Sequence, residues 1–322
     1  MRHKLTSVTG LIAGIALLSS CALGEEPSTE VSAGSLAAKG DLSDVEVTVG
    51  GKEFTEQLIL CELTAQALES AGATANRSCG MSGSSSVRSA LLSGDLDMYW
   101  EYTGTGWVTH LGETEPIADP QELYQAVAKR DKQENSVAWL EPAPANNTYA
   151  VAVSREKAEE LGVETLSDYA ELVNSDPASA SFCGAAEFFG RDDGWPGLKD
   201  AYGFDLPGDR VSELAAGPIY NAIDTANPCV FGEVFATDGR IAALDLAVLE
   251  DDKQYFTAYN PAVSIRAEVL DQHPAIEDVL APVAEALDDQ TLQSLNAKVD
   301  VDGETPEEAA KEWLVEKGFV GE

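Results

Sequence analysis

The chain has 322 residues, with 56 acidic against 20 Lys and Arg and a formal net charge of −36. That balance excludes nucleic acid as a partner, because binding a phosphate backbone needs basic side chains that displace its counterions. It favours cationic ligands only weakly, since salt screens surface charge at a distance.

In chain order, a basic start (Arg2, Lys4) precedes an apolar run over 8–18 and then Leu-Ser-Ser-Cys. The run is too short to span a bilayer and reads as a signal peptide over 1–20. The small residues before Cys21 resemble a lipobox, the cleavage signal of bacterial lipoproteins. That resemblance implies lipidation at Cys21, with residues 21–44, rich in Ser, Ala, Glu and Gly, as a flexible tether. Roughly 275 residues follow, enough for two lobes.

Residues 46–50 (EVTVG) predict a strand, and an amphipathic helix from about Thr55 carries Leu58, Ile59, Leu63, Ala67 and Leu68 on one side and stops at Gly72. A strand over 73–79, a helix starting at 83–85 and stopping at Gly94, and a strand entering WEYTGTGW (100–107) complete a βαβαβ unit. Such a unit implies a parallel sheet flanked by helices, with ligands bound beyond the carboxyl ends of its strands. WEYTGTGW itself reads as a tight glycine-rich turn, too short for a helix. Its crowded rings suggest a binding role.

A second unit begins at TYAVAVS (148–154). Strands follow near 181–185, 210–214 and 230–236, with a helix over 218–226 and a turn-rich GRDDGWPG (190–197). The segment 236–266 has strand-like ends and suggests a return to the first lobe. Residues 267–319 are mostly amphipathic helix. The expected architecture is α/β, with two lobes, each a mostly parallel sheet flanked by helices, and a ligand cleft between them. Lobe I takes 45–146 and 260–322, and lobe II takes 147–259.

Apart from Cys21, four cysteines remain: Cys61, Cys79, Cys183 and Cys229. In an oxidising compartment an even number suggests disulfides, and no CxxC or Cys/His cluster points to a metal. Four cysteines allow three pairings. Cys61–Cys79 and Cys183–Cys229 are favoured because each keeps within one α/β stretch. Each bridge would constrain the unfolded chain by roughly 3–4 kcal/mol.

Catalysis finds little support. Beyond residue 20 the histidines are His110 and His273, the latter before Pro274 where a helix-start role is expected, and there is no GxSxG, HExxH or Walker loop. No cofactor and no metal is expected. Binding is better supported. GGKEFTEQ, WEYTGT, NNTYAVAV, GRDDGWPG, FATDGRI and EDDKQYFTAY, in this order, resemble the substrate-binding proteins of osmoprotectant ABC importers, which take up glycine betaine, proline betaine, choline or carnitine. The resemblance runs from about 45 to 319 and implies the type II periplasmic-binding-protein fold.

The resemblance also implies a cage of rings around a quaternary ammonium. Tyr102, Tyr149 and Tyr259 match cage tyrosines, and Phe235 stands where the family usually has another. A trimethylammonium has no N–H to donate, so ring faces recognise it, at about 0.5–2 kcal/mol per contact. Phe235 keeps the π face and loses the hydroxyl. Lys52, Thr105 and Arg191 match positions that hold a ligand carboxylate, and two cations there disfavour choline. Tyr99, Trp100, Tyr220 and Phe256 read as core, Trp195 as structural, and Trp107 as either cover or backing for the pocket. The resemblance implies a monomeric, lipid-anchored protein on the outer face of a bacterial cell membrane, with a small betaine and an ABC permease as partners. An extracytoplasmic solute sensor, or choline, carnitine or ectoine as ligand, are the rival readings.

Overall fold

A computed structural model describes residues 31–113, 115 and 117–321. The signal peptide, Cys21 and tether residues 22–30 lie outside the described residues. The expectation of a flexible tether is corrected for 31–44, where Leu36 and Leu42 are buried in the core and Ser35 N–H donates to the Gly318 carbonyl (3.0 Å).

Among the described residues ten strands alternate with helices: β1 (Glu46–Lys52), β2 (Thr74–Met81), β3 (Met98–Tyr102), β4 (Val137–Trp139), β5 (Tyr149–Ser154), β6 (Phe182–Gly184), β7 (Val211–Glu213), β8 (Phe231–Phe235), β9 (Leu246–Val248) and β10 (Pro261–Arg266). They form two five-stranded sheets, ordered β2-β1-β3-β10-β4 and β7-β6-β8-β5-β9. In the first, β1 runs parallel to β2 and β3, while β10 is antiparallel to β3 and β4. The second repeats the plan, with β5 antiparallel to β8 and β9. One strand in each sheet thus runs against four, and each is the strand that has just crossed from the other sheet. The two crossings lie side by side, joined by Ala143 N–H to the Pro261 carbonyl (2.8 Å) and Asn147 N–H to the Tyr259 carbonyl (3.1 Å).

The helix Thr55–Ser70 departs from a simple one-sided pattern. Leu58 is only half-buried, whereas Glu56, Gln57 and Leu60 are buried with Ile59 and Leu63. The reason is that the helix has neighbours on two sides: the first sheet, and the C-terminal helices Ala275–Glu285, Asp289–Asp300 and Pro306–Glu316. Thr55 Oγ1 donates to Asp300 (2.7 Å), and Gln66 Nε2 to the Glu307 carbonyl (3.1 Å). Gly83 and Gly94 flank the helix Ser84–Ser93 as expected, Gly94 in the left-handed region that closes a helix without a Cβ clash. Trp100, with its Nε1 on Thr64 (2.7 Å), is core, and so are Tyr99 and Tyr220. Trp195 starts the helix Trp195–Tyr202 and stacks on Phe182 at 4.2 Å. His273 follows the helix Ala267–Gln272, and it is its backbone carbonyl that accepts from Ile276 (3.1 Å). Disulfides join Cys61 to Cys79 and Cys183 to Cys229.

The reading of WEYTGTGW as a tight turn is corrected. After Tyr102 the chain takes a helical turn over Thr103–Thr105 and continues in wider π turns over Gly106–His110. Glycine composition suggested a turn, but the glycines serve packing instead. A Cβ on Gly104 would lie 2.6 Å from the Tyr259 ring, and one on Gly106 would lie 2.7 Å from Trp139.

Candidate functional site

Strand direction gathers the site. β1 and β3 end at Lys52 and Tyr102, so both deliver their last side chains to one rim. β5 runs the opposite way to β8, which places its first residue, Tyr149, opposite the last of β8, Phe235. By the same logic Pro261 of β10 pairs with Tyr102, and Tyr259, two residues earlier, arrives at that rim. All seven side chains expected to meet a ligand, Lys52, Tyr102, Thr105, Tyr149, Arg191, Phe235 and Tyr259, line one cavity of about 470 Å³.

The rings stand together, with Lys52 5.1 Å from the Tyr102 ring and Arg191 5.5 Å from the Tyr149 ring. Tyr149 lies 5.5 Å from Phe235 and 5.5 Å, edge-on, from Tyr259. Phe54, which the sequence reading passed over, stacks on Phe235 at 5.1 Å and on Tyr102 at 6.2 Å. It belongs to the first sheet's rim and Phe235 to the second's, so the ring wall bridges the cleft. A signal was available: Phe54 is an aromatic residue two positions past the end of a strand. Trp107 lines a separate cavity of about 260 Å³ with Tyr255 and Asp193, and it packs against the first lobe's core beside Tyr99 and Trp139. Phe256 packs at 6.3 Å from Tyr149 and is half-buried.

Around the rings is a polar frame that no motif announced. The Tyr102 hydroxyl donates to Glu56 (2.8 Å), which also accepts from Asn147 (2.8 Å), Asn296 (3.0 Å) and Thr237. Burial pushes the Glu56 carboxyl up, and these four donors pull it back only partly. Lys52 Nζ lies 2.6 Å from Glu101, which is fully buried and also accepts from His110 Nε2 (2.8 Å), Tyr99 (3.0 Å) and the Tyr102 amide (2.8 Å). Burial raises Glu101, yet Lys52 and His110 outweigh it and hold the carboxyl well below its ordinary value. Arg191 is gripped by Asp193 (2.5 Å) and Glu187 (3.0 Å), and it reaches Thr105 Oγ1 at 3.3 Å.

The two cations are therefore present but not free. A buried charge without a partner is too costly to keep, so the fold supplies carboxylates. Lys52 retains N–H groups beyond the one given to Glu101. The Arg191 donors go to Asp193, Glu187 and Thr105, while Thr105, accepting from Arg191, keeps its own proton to give. Glu187 also bridges the cleft, accepting from Ser84 N–H (3.1 Å) and Oγ (2.7 Å).

Residues 45–316 match the family model described as the substrate-binding domain of ABC-type glycine betaine transport systems. The chain belongs to that family. It is similar to the glycine-betaine-binding protein of Pseudomonas aeruginosa, 38% identical over 286 residues that cover 87% of this chain and 91% of that one. It is 32% identical over 285 residues to the Helicobacter pylori ergothioneine transport permease/binding protein EgtU, covering 88% of this chain and 50% of that protein. The solved apo structure of Escherichia coli YehZ superposes with a TM-score of 0.63 at 34% identity, over 85% of this chain and 99% of the other. Members of this substrate-binding family serve ABC importers and act on the extracytoplasmic side of the membrane. Among the described residues no helix is long and apolar enough to cross one.

Proposed function

We propose that the cleft captures a zwitterionic quaternary ammonium solute, glycine betaine or proline betaine, and hands it unaltered to a membrane permease. The observation that carries this is the meeting of Tyr102, Tyr149, Phe235, Tyr259 and Phe54 in one cavity with Lys52 and Thr105, the Lys52 Nζ standing 5.1 Å from the Tyr102 ring. In this reading the rings take the ammonium group, Lys52 and Thr105 take the carboxylate, and Arg191 positions Thr105 and bridges to it across the cleft. The lobes are residues 45–146 with 260–322, and 147–259. Ligand held by both lobes favours the closed arrangement, which the permease recognises. Cleavage after residue 20 and lipidation of Cys21 tether a monomer to the outer face of the cell membrane. No bond of the ligand is made or broken.

A second reading, choline as ligand, is favoured by one observation: both cations near the cage are already neutralised by carboxylates, so a cation without a carboxylate meets less repulsion. Isothermal titration of the protein with glycine betaine, proline betaine, choline and ectoine at matched ionic strength separates the two. Betaines binding well ahead of choline support the clamp, and choline ahead of the betaines removes it. No binding to any of the four refutes the function.

A further inference from the structure

The cavity is larger than a small betaine needs. Even at about 30 Å³ per non-hydrogen atom, the share of a water molecule in the liquid, glycine betaine fills roughly half of the 470 Å³. The remaining space runs beyond the rings along the second sheet, past Ala185, Ala186, Leu214, Ala215 and Ala216, whose small or apolar side chains leave it open. Two carboxylates stand in that wall, Glu213 exposed at its edge and Glu233 buried within it. Glu233 lies on β8 two residues before Phe235, so strand alternation puts it on the cage face, about 7 Å along the strand.

Glu233 is only 3% exposed and lines the cavity. One carboxyl oxygen accepts from the Ala185 amide at 2.7 Å. The other has no hydrogen-bond partner among the described residues. The neighbouring Glu187 differs, since both of its oxygens are engaged by Ser84 and Arg191. That oxygen is not sealed in the core but open to the cavity, and among the described residues the Arg191 charge is the favourable influence left on it.

We propose that Glu233 is a second recognition point in the cleft, selecting betaines that carry a hydroxyl or N–H group beyond their quaternary nitrogen. This rests on the quaternary ammonium reading above and names the class of ligand within it. Burial pushes the Glu233 carboxyl up to about 8, the Ala185 amide opposing and Glu187 adding to it. At neutral pH it is then mostly protonated, able to donate and to accept, which suits a hydroxyl or an N–H. A site built to meet such a group rejects the analogue that lacks it, because its own polar atom is left unpaired.

The test is titration calorimetry of the protein with two matched pairs: carnitine against its deoxy analogue γ-butyrobetaine, and histidine betaine against phenylalanine betaine. The expected result is at least a tenfold preference, in at least one pair, for the member with the extra polar group. In Glu233→Ala that preference collapses to within about twofold, whereas in Glu233→Gln, which retains a donor and an acceptor, part of it survives. Thermal melts of each variant confirm folding. Betaine binding that is lost in Tyr149→Ala but shows no preference in either pair, or a preference that survives Glu233→Ala, overturns the role of Glu233 and leaves the proposed function standing. Failure of all four, and of glycine betaine, to bind removes both.

Discussion

Glu233 should leave a mark on stability that does not depend on any ligand. Burial pushes its carboxyl up to about 8 in the folded protein against 4.5 as the ordinary value, and each pH unit between the two is worth about 1.4 kcal/mol. Between those two values the unfolded chain has released the proton and the folded chain has kept it. Fewer protons bound in the unfolded state means that stability falls as pH rises. The cost is about 1 kcal/mol at pH 5, about 3 kcal/mol at pH 7 and between about 4 and 5 kcal/mol at pH 8.5, where it levels off. Glu233→Gln keeps the shape and the acceptor for the Ala185 amide but has no proton to lose. Urea unfolding of both proteins at pH 5, 7 and 8.5, followed by tryptophan fluorescence, isolates the effect because every other titrating group is common to both. The variant's advantage should widen by about 3–4 kcal/mol from pH 5 to pH 8.5. Curves that stay parallel across that range would refute the reasoning, meaning that Arg191 keeps Glu233 ionised in the fold.

Lys52→Gln should destabilise the protein by up to about 3–5 kcal/mol, because Glu101 is left buried with its ion-pair lysine removed and only hydrogen bonds from His110, Tyr99 and the Tyr102 amide; chemical denaturation measures this. Titration of the same variant should show glycine betaine weakened more than choline, and equal losses would remove Lys52 from the clamp. Tyr149→Ala deletes the ring that touches Phe235, Tyr259 and the Arg191 guanidinium. It should abolish measurable binding of any quaternary amine by calorimetry, and retained micromolar binding would place the cage elsewhere. Phe54→Ala should weaken binding about tenfold, since it removes one ring face worth about 0.5–2 kcal/mol and the stacking across the cleft; an unchanged affinity would make Phe54 packing alone. Phe235→Tyr should hold affinity within a few-fold in the same assay, and a loss beyond tenfold would mean that its ring packs against the protein and not a ligand.

Much of the architecture is local information. Apolar alternation and glycine stops marked β1, β3, β5 and β8 and the helices between them, because a strand or helix that buries one face must repeat at its own period. Strand ends locate the rim, and the resemblance to osmoprotectant-binding proteins, rather than any spacing, assigns the rings and cations their roles there. What misled was also local. Two glycines in WEYTGTGW signalled a turn, when their purpose is to let the rings of Tyr259 and Trp139 approach a helical segment.

The sequence by itself determined that two similar α/β units face one another and that aromatic and cationic residues collect where their strands end. Only the tertiary structure decided how those charges are held. Glu101 beside Lys52, Asp193 and Glu187 around Arg191, and Glu56 under Tyr102 are pairings fixed by burial. Lys52 with Glu101 and Tyr102 with Glu56 join residues far apart in the chain, whereas the carboxylates around Arg191 stand two and four positions from it, and no spacing rule connects Lys52 with Glu101 or Glu56 with Thr237. The same holds for Glu233. In FGEVF it is one acidic letter in an apolar run, and only the packed sheet turns it toward the cavity and leaves one of its oxygens unpaired.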